Sequence, residues 1–139
     1  NPLKSAAILI ENSKNAVLYF GDTGADRVEK SDKLSIIWKN IAPKIKAGKL
    51  KTLMLEVSFS NAQPEHLLFG HLTPKLINEE MEKLAKEVGK KHLKDLTIIV
   101  THIKPKGDNE QKIINELSEN NPFKINYVFP KQGERIVIK

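Results

Sequence analysis

Short apolar stretches alternate with longer segments of helical periodicity along most of this 139-residue chain. Apolar, β-branched runs bounded by polar or turn-forming residues predict strands. These strands cover residues 6–11, 16–21, 51–59, 96–103, 125–129 and 135–139. Because only 12-NSKN-15 separates the first two runs, they form a β-hairpin or two adjacent strands.

Between these strands, apolar residues recur three or four positions apart, which predicts three amphipathic helices. Ser31 is the expected N-cap of the first helix, and Pro43 is expected to kink it or end it early. Thr73 caps the second helix, and Asp108 or Asn109 caps the third. The inward positions are Leu34, Ile37, Trp38, Ile41, Ile45, Leu76, Ile77, Met81, Leu84, Ala85, Val88, Ile113, Ile114 and Leu117.

The resulting order, β-β-α-β-α-β-α-β-β, predicts an α/β fold in which helices pack on a sheet. Residues 1–139 then form a single domain or a half-domain. Apolar residues make up 40% of the chain and charged residues 29%, as in ordinary globular proteins. A run of about 18 apolar residues, which a membrane-spanning helix needs, is absent.

The charge and cysteine content restrict the possible partners and sites. A net charge of +6 favours anionic partners such as phosphate esters or nucleic acid. The lysines are spread over predicted helices and turns, without aromatic residues between them, which favours a solvated surface over a nucleic-acid interface. Cysteine is absent, so disulfides and thiolate metal sites are excluded, while a periplasmic or a cytoplasmic location stays open.

Polar residues follow the predicted strands where reactive groups gather in α/β folds. Asp22 follows the 16–21 strand, residues 58–61 follow the 51–57 core of the next strand, and His102 lies near the end of the 96–103 strand. Because the carboxyl ends of parallel strands meet at one edge of a sheet, we expect these side chains to lie together.

The segment Gly21-Asp22-Thr23-Gly24 has three interpretations. Gly and Asp are ordinary turn formers, so the segment can be a plain turn. Asp-Thr-Gly-Ala-Asp also occurs in retroviral-type aspartic proteases, but those proteins are mostly β, and three predicted helices argue against that architecture. The third interpretation is a strand-end carboxylate that binds two metal ions.

Taken together, four segments favour the metal-binding interpretation: FGDTGAD (20–26), LMLEVSFSN (53–61), LFGHLTP (68–74) and VTHIKP (100–105). In this order they resemble the C-terminal half of class II cyclic-nucleotide phosphodiesterases, in the metallo-β-lactamase superfamily, over roughly residues 5–105. The resemblance implies one half of an αββα sandwich. It also implies hydrolysis of a 3′,5′-cyclic nucleotide, with cyclic AMP as the leading candidate, by water that two zinc ions activate.

The resemblance also assigns metal and substrate contacts to individual residues. Asp22 matches the aspartate that bridges both zinc ions, and His102 matches the last metal-binding histidine. His71 and Thr73, beside a predicted helix N-terminus, match a His-x-Thr element that contacts the phosphate or protonates the leaving group. The alternative for His71 is a purely structural role, in which the histidine only caps the helix.

Two further residues are expected to support the metal ligands by hydrogen bonding, namely Thr23 and Glu56. Glu56 either orients a histidine or is a strand residue that faces solvent. His66 lies in the loop on the active side, where contact with substrate is possible, and His92 is expected on the solvated surface.

The main zinc-binding element of the superfamily, His-x-His-x-Asp-His, does not occur in this chain, whose histidines stand at 66, 71, 92 and 102. Asp22 and His102 alone are too few ligands for a zinc pair. We therefore expect a C-terminal half that is inactive by itself, whose partners are the N-terminal half, a cyclic nucleotide or other phosphodiester and, through an exposed sheet face, a second copy. The alternatives are a non-catalytic interaction or assembly module with the same fold and a related metal-dependent nuclease.

Overall fold

The computed structural model describes residues 4–138, which form a five-stranded sheet with helices packed against it. The strands are β1 (Ala7–Glu11), β2 (Ala16–Phe20), β3 (Leu50–Glu56), β4 (Thr97–Thr101) and β5 (Asn126–Val128). The helices are α1 (Asp26–Glu29), α2 (Lys33–Lys46), α3 (Pro74–Val88), α4 (Lys90–Leu93) and α5 (Asn109–Glu119), and a 3-10 turn spans Glu65–Leu67. Within residues 4–138, the helices are too short or too polar to cross a membrane.

The strands lie in the sheet in the same order as in the sequence. β1 and β2 form the predicted antiparallel hairpin, and each later strand is parallel to the one before it. The helices α2, α3 and α5 connect β2 to β3, β3 to β4 and β4 to β5, so each connection moves to the next strand in the same direction along the sheet. Because connections between parallel strands are right-handed, all three helices lie on the same face of the sheet. This arrangement confirms the predicted α/β class and brings the carboxyl ends of β2, β3 and β4 to one edge.

The core lies between the helices and the sheet. Every predicted inward position of the second helix, now α3, is buried, and Thr73 caps that helix by accepting a hydrogen bond from the Leu76 N–H (3.4 Å). Trp38 of α2 is fully buried, with its ring centroid 5.5 Å from that of Phe20. The periodicity of the apolar residues therefore predicted the buried faces, although Ile37 and Ile114 are only partly buried.

The start of the first predicted helix differs from the expectation. Residues 26–29 form the separate short helix α1, and α2 begins at Lys33, so Ser31 is not its N-cap. Instead, the carboxylate of Asp26 accepts hydrogen bonds from the Leu34 and Ser35 N–H groups, at 2.9 Å each. A buried carboxylate eight residues away thus takes the place of a local cap, and Ser31 donates its hydroxyl to Asp26 (3.2 Å).

The end of the same helix also differs, because α2 continues through Pro43 to Lys46. The predicted early end is wrong for a local reason. Pro43 lies in the last turn and removes only the hydrogen bond to the carbonyl of Lys39, an exposed residue whose carbonyl can bind water instead.

The predicted last strand does not form within residues 135–138, and Lys139 lies outside the described residues. Val137 is 66% exposed there. The apolar run 135-RIVIK-139 has a high β-propensity, but propensity forms a strand only where the chain also packs against a neighbour.

The sheet face opposite the helices is apolar at its β1–β2 end. Ile8 pairs with Tyr19 and Ile10 with Val17 across the hairpin, which places these side chains on the face opposite Leu18 and Phe20. Ile8, Ile10 and Tyr19 are 52%, 61% and 39% exposed. We call these three residues the open-face patch.

Candidate active site

The predicted strand-end residues meet at one edge of the sheet. Asp22 follows β2, Glu56 ends β3, and His102 follows β4 directly. Gly21 lets the backbone before Asp22 pass close to the chain that enters β1, since a Cβ at Gly21 would lie 2.9 Å from Ser5 Oγ. The parallel arrangement of β2, β3 and β4 therefore builds the site.

Asp22 and His102 are in direct contact, with His102 Nδ1 3.1 Å from Asp22 Oδ1. Lys104 Nζ lies 3.3 Å from the other ring nitrogen of His102, Nε2. An ammonium group only donates and a carboxylate only accepts, so these contacts fit a neutral imidazole with its proton on Nδ1. Both Asp22 and His102 remain accessible, with 57% and 41% of their side-chain surfaces exposed.

His102 has a left-handed backbone conformation, with φ of 56°. This region is uncommon for a residue with a side chain, although histidine tolerates it better than most. Two contacts hold the backbone here: the Ser58 hydroxyl oxygen lies 3.1 Å from the His102 carbonyl oxygen, and the Lys104 N–H donates to the Ser58 carbonyl (3.1 Å). Strained backbone that is fixed in this way is typical of functional sites.

His71 lies beside this pair on the loop before α3. Its Nδ1 is 2.9 Å from Glu56 Oε1, and its ring centroid is 5.2 Å from that of His102. The hydrogen bond that the Glu56 carboxylate accepts raises the pKa of His71 against the opposing effect of burial, and the charges of Glu56 and Asp22 act in the same direction as the bond. His71 is therefore held closer to its protonated form than a solvated histidine.

Glu56 connects the ends of β2 and β3 with the loop that carries His71. It is 1% exposed and accepts hydrogen bonds from the Thr23 N–H (3.1 Å), the Ser58 N–H (3.0 Å) and the Ser58 hydroxyl (2.9 Å), in addition to its contact with His71. Of the two predictions for Glu56, the one in which it faces solvent is wrong. A buried carboxylate with this many donors is a rigid anchor for the histidine beside it.

The other expected site residues lie around this cluster. Thr23 donates its hydroxyl to the Gly21 carbonyl (2.7 Å), which shapes the turn that carries Asp22. Thr73 is 4% exposed and caps α3, one residue beyond the loop that presents His71. His66 is exposed in the 3-10 turn and His92 lies on α4, and neither belongs to the cluster.

Ser58, Lys104 and Asn109 are further members of the site that the sequence did not single out. Ser58 is fully buried, with Oγ 3.2 Å from His71 Nδ1 and 3.3 Å from His102 Nδ1. The signal for Ser58 was its place after β3, among the polar residues 58–61. Lys104 and Asn109 had no such signal, because their contacts depend on the loop conformation after His102.

Asp22, His71 and His102 each offer a ligand atom, and these atoms lie within 4.8 Å of one another. One carboxylate oxygen and two imidazole nitrogens are ligands that suit zinc. A cleft of about 260 Å³ adjoins the cluster and is lined by Asp22, Thr23 and Gly70 together with residues of α2. The donor chemistry therefore fits a zinc site, while the donor number falls short of what two ions need.

Comparison with known proteins agrees with this chemistry. The model of the family described as cAMP phosphodiesterases class-II matches residues 1–133. The chain belongs to the class-II cAMP phosphodiesterase family. This result confirms the resemblance carried by the four sequence segments.

Individual members of the class-II family show how much of such a protein the chain represents. It is 41% identical over 138 residues to the 3′,5′-cyclic-nucleotide phosphodiesterase of Aliivibrio fischeri, covering 96% of this chain and 42% of that protein. It is 37% identical over 135 residues to a probable 3′,5′-cyclic-nucleotide phosphodiesterase of Yersinia pestis, covering 94% and 39%. The crystal structure of unliganded yeast PDE1 matches with a TM-score of 0.69 and 27% identity, over 85% of this chain and 36% of that one. The chain thus spans about two-fifths of the length of its curated relatives.

Proposed function

We propose that this chain supplies one side of the active site of a 3′,5′-cyclic-nucleotide phosphodiesterase. The observation that supports the proposal is the convergence of Asp22, His71 and His102 at one sheet edge. The names of relatives, 3′,5′-cyclic-nucleotide phosphodiesterases, support this substrate class. Cyclic AMP is the proposed substrate, in keeping with the family description.

In this proposal, Asp22 and His102 bind zinc in a dinuclear centre. The solvent-accessible carboxylate of Asp22 and the imidazole of His102 beside it would hold zinc here. The missing ligands come from a His-x-His-x-Asp-His element in an N-terminal half of the protein. When bound, the zinc ions supply an activated water for attack at phosphorus.

His71 contacts the substrate in this proposal and is not a metal ligand. Glu56 favours its protonated form, so the ring nitrogen that does not face Glu56 is suited to donate a proton or a hydrogen bond. The acceptor is a phosphoryl oxygen or the leaving alkoxide of the cyclic ester. Thr73, at the N-terminus of α3, completes the phosphate-facing side, where free N–H groups favour an anion.

The open-face patch provides the contact with the rest of the protein. An apolar sheet face of this kind normally packs against another layer. We propose that the N-terminal half covers Ile8, Ile10 and Tyr19 in a metallo-β-lactamase-type αββα sandwich, and that a second copy covers them when the chain is alone.

The proposal is tested by producing this chain alone and joined to its N-terminal half. Zinc content is measured for both proteins, together with the release of 5′-AMP from cyclic AMP and of 5′-GMP from cyclic GMP. We expect about two zinc ions and turnover only in the joined protein. A joined protein that is folded but binds no zinc and hydrolyses neither nucleotide would instead support a non-catalytic module.

A further inference from the structure

Lys104 is a cation at the rim of the cluster that neither the metal nor the proton chemistry above uses. Its Nζ lies 3.3 Å from His102 Nε2, across the imidazole ring from the Asp22 carboxylate. The side chain is half-buried rather than extended into solvent. Lys104 therefore lies within reach of whatever binds beside His102.

Lys104 is also free of a competing anion. Several lysines on the rest of the described chain contact carboxylates within 4 Å, as Lys44 and Lys49 do with Glu11 and Lys83 does with Glu80. Within residues 4–138, Lys104 has no carboxylate at that distance and contacts instead a ring nitrogen of His102. Such a weak partner is easily exchanged for an anionic ligand.

A buried amide fixes the backbone from which Lys104 projects. Asn109 Nδ2 donates to the carbonyls of Ser58 and Lys104, at 2.9 Å each, and its Oδ1 accepts from the Ser60 N–H at 2.9 Å. Asn109 is 8% exposed, and these contacts use both its donor and its acceptor atoms. The loops after β3 and β4 are thus locked together around the lysine.

We propose that Lys104 is a substrate-binding residue whose ammonium pairs with a phosphoryl oxygen of the cyclic phosphodiester. This inference rests on the proposed function and assigns a new residue to it. A cyclic phosphodiester carries one negative charge, which the ammonium group of Lys104 attracts. On binding, Lys104 exchanges its contact with His102 Nε2 for a charge-assisted hydrogen bond to the substrate.

The test uses the complete enzyme and three variants: Lys104→Ala, Lys104→Arg and, as a matched control two residues along the same loop, Lys106→Ala. Loss of a charge-assisted bond is expected to lower kcat/KM for cyclic AMP roughly 10- to 100-fold in Lys104→Ala, mainly through KM. Lys104→Arg keeps the charge and is expected to retain most of this binding. Exposed Lys106 is expected to tolerate alanine within about twofold.

A second measurement tests the contact of Lys104 with phosphate separately from catalysis. Inorganic phosphate and adenosine are tested as competitive inhibitors, because each carries only one part of the substrate. We expect Lys104→Ala to weaken inhibition by phosphate by a factor similar to the rise in KM and to leave inhibition by adenosine unchanged, at equal zinc content. Unchanged KM and unchanged phosphate inhibition in Lys104→Ala would overturn the inference.

Failure of the proposed function gives a different result. If the complete protein hydrolyses no cyclic nucleotide, direct titration with inorganic phosphate by calorimetry still tests Lys104. Weaker phosphate binding in Lys104→Ala than in Lys106→Ala supports the lysine as an anion contact, and equal binding in both variants rejects it.

The role of Asn109 as a positioning residue is tested with Asn109→Asp, which keeps the shape and removes the donated hydrogen bonds. If Asn109 acts through Lys104, the rise in KM for Asn109→Asp largely disappears in a Lys104→Ala background. Rises in KM that add fully in the double variant would contradict this coupling.

Discussion

At the scale of single residues, the properties of His71 follow from its contact with one buried carboxylate. Glu56 cannot reach solvent and is held by backbone N–H groups of two strand ends, so its oxygen stays fixed 2.9 Å from His71 Nδ1. The energetic consequence is a raised pKa for the histidine. A histidine that is held closer to its protonated form in this way suits the role of proton donor proposed for His71.

Glu56→Gln is expected to lower the pKa of His71, because it removes the negative charge that favours the imidazolium ion. The measurement is an NMR titration of the histidine ring signals in the metal-free chain, with the exposed Glu82→Gln as control. In the wild-type chain, the protonated form of His71 stabilises the fold. This stabilisation is complete below the unfolded-state pKa of about 6.5 and is lost as pH rises through the higher pKa of the folded state. A His71 titration that is identical in Glu56→Gln and wild type would contradict this account.

Sequence reasoning found some residues of the site and missed others for a physical reason. Asp22 and His102 could be placed together because strand ends converge in any parallel sheet. Lys104 could not, because its contact requires the φ of 56° at His102 and the hydrogen bonds of Asn109 to two loops. Such contacts depend on loop geometry, which has no periodic signal in the sequence.

At the scale of elements, the start of α2 depends on a residue outside the helix. Asp32, directly before α2, makes no side-chain capping hydrogen bond. Asp26 provides the cap instead and also accepts from the Ser35 hydroxyl (2.7 Å). The sequence therefore predicted the helix but not its first residue, since the choice of cap depends on how α1 packs.

Asp26→Ala is expected to reduce the free energy of unfolding by about 2 kcal/mol, because it leaves two helix N–H groups, one buried and one partly buried, without an acceptor. Asp32→Ala, at the residue directly before α2, is expected to change it by less than about 0.5 kcal/mol. Urea denaturation of both variants measures the difference. Equal losses in the two variants would show that the local residue caps the helix after all.

Acid should weaken the same cap. Burial alone would raise the pKa of Asp26, but the hydrogen bonds from Ser35 and Leu34, together with the charge of Lys83, outweigh burial and lower it. The resulting stabilisation is present above the unfolded pKa of about 3.9 and is lost as pH falls through the lowered folded value. Asp26→Asn is expected to lose less stability on acidification than the wild-type chain. The free energy of unfolding of both proteins is measured by urea denaturation between about pH 5 and about pH 2, the range in which carboxyl groups titrate. An equal decrease in both proteins would contradict this role.

At the scale of the whole molecule, one sheet face is covered by helices and the other is apolar at the β1–β2 hairpin. The element order along the chain was sufficient to predict the α/β class, because alternating strands and helices have few compact arrangements. The exceptions were a short extra helix before α2 and the absence of a strand over residues 135–138. Both depend on packing partners rather than on local propensity.

Self-association of the isolated chain is expected to depend on the open-face patch. Replacing Ile8 and Ile10 with threonine keeps the β-propensity of the strand and removes apolar surface, so it should shift the chain from dimer to monomer in analytical ultracentrifugation. Ile36→Thr is the control, since Ile36 is 49% exposed but lies on α2, in the helical layer. A wild-type chain that is monomeric at high micromolar concentration would contradict the expected dimer.

The central claim is that Asp22 and His102 bind the same metal centre in the complete enzyme. The most direct measurement is the zinc content and cyclic AMP turnover of complete enzymes carrying Asp22→Ala, His102→Ala or, as control, His92→Ala. We expect the first two to lose zinc and roughly 100-fold or more in kcat/KM, and His92→Ala to match the wild type. Full zinc content and normal turnover in either Asp22→Ala or His102→Ala would contradict the account.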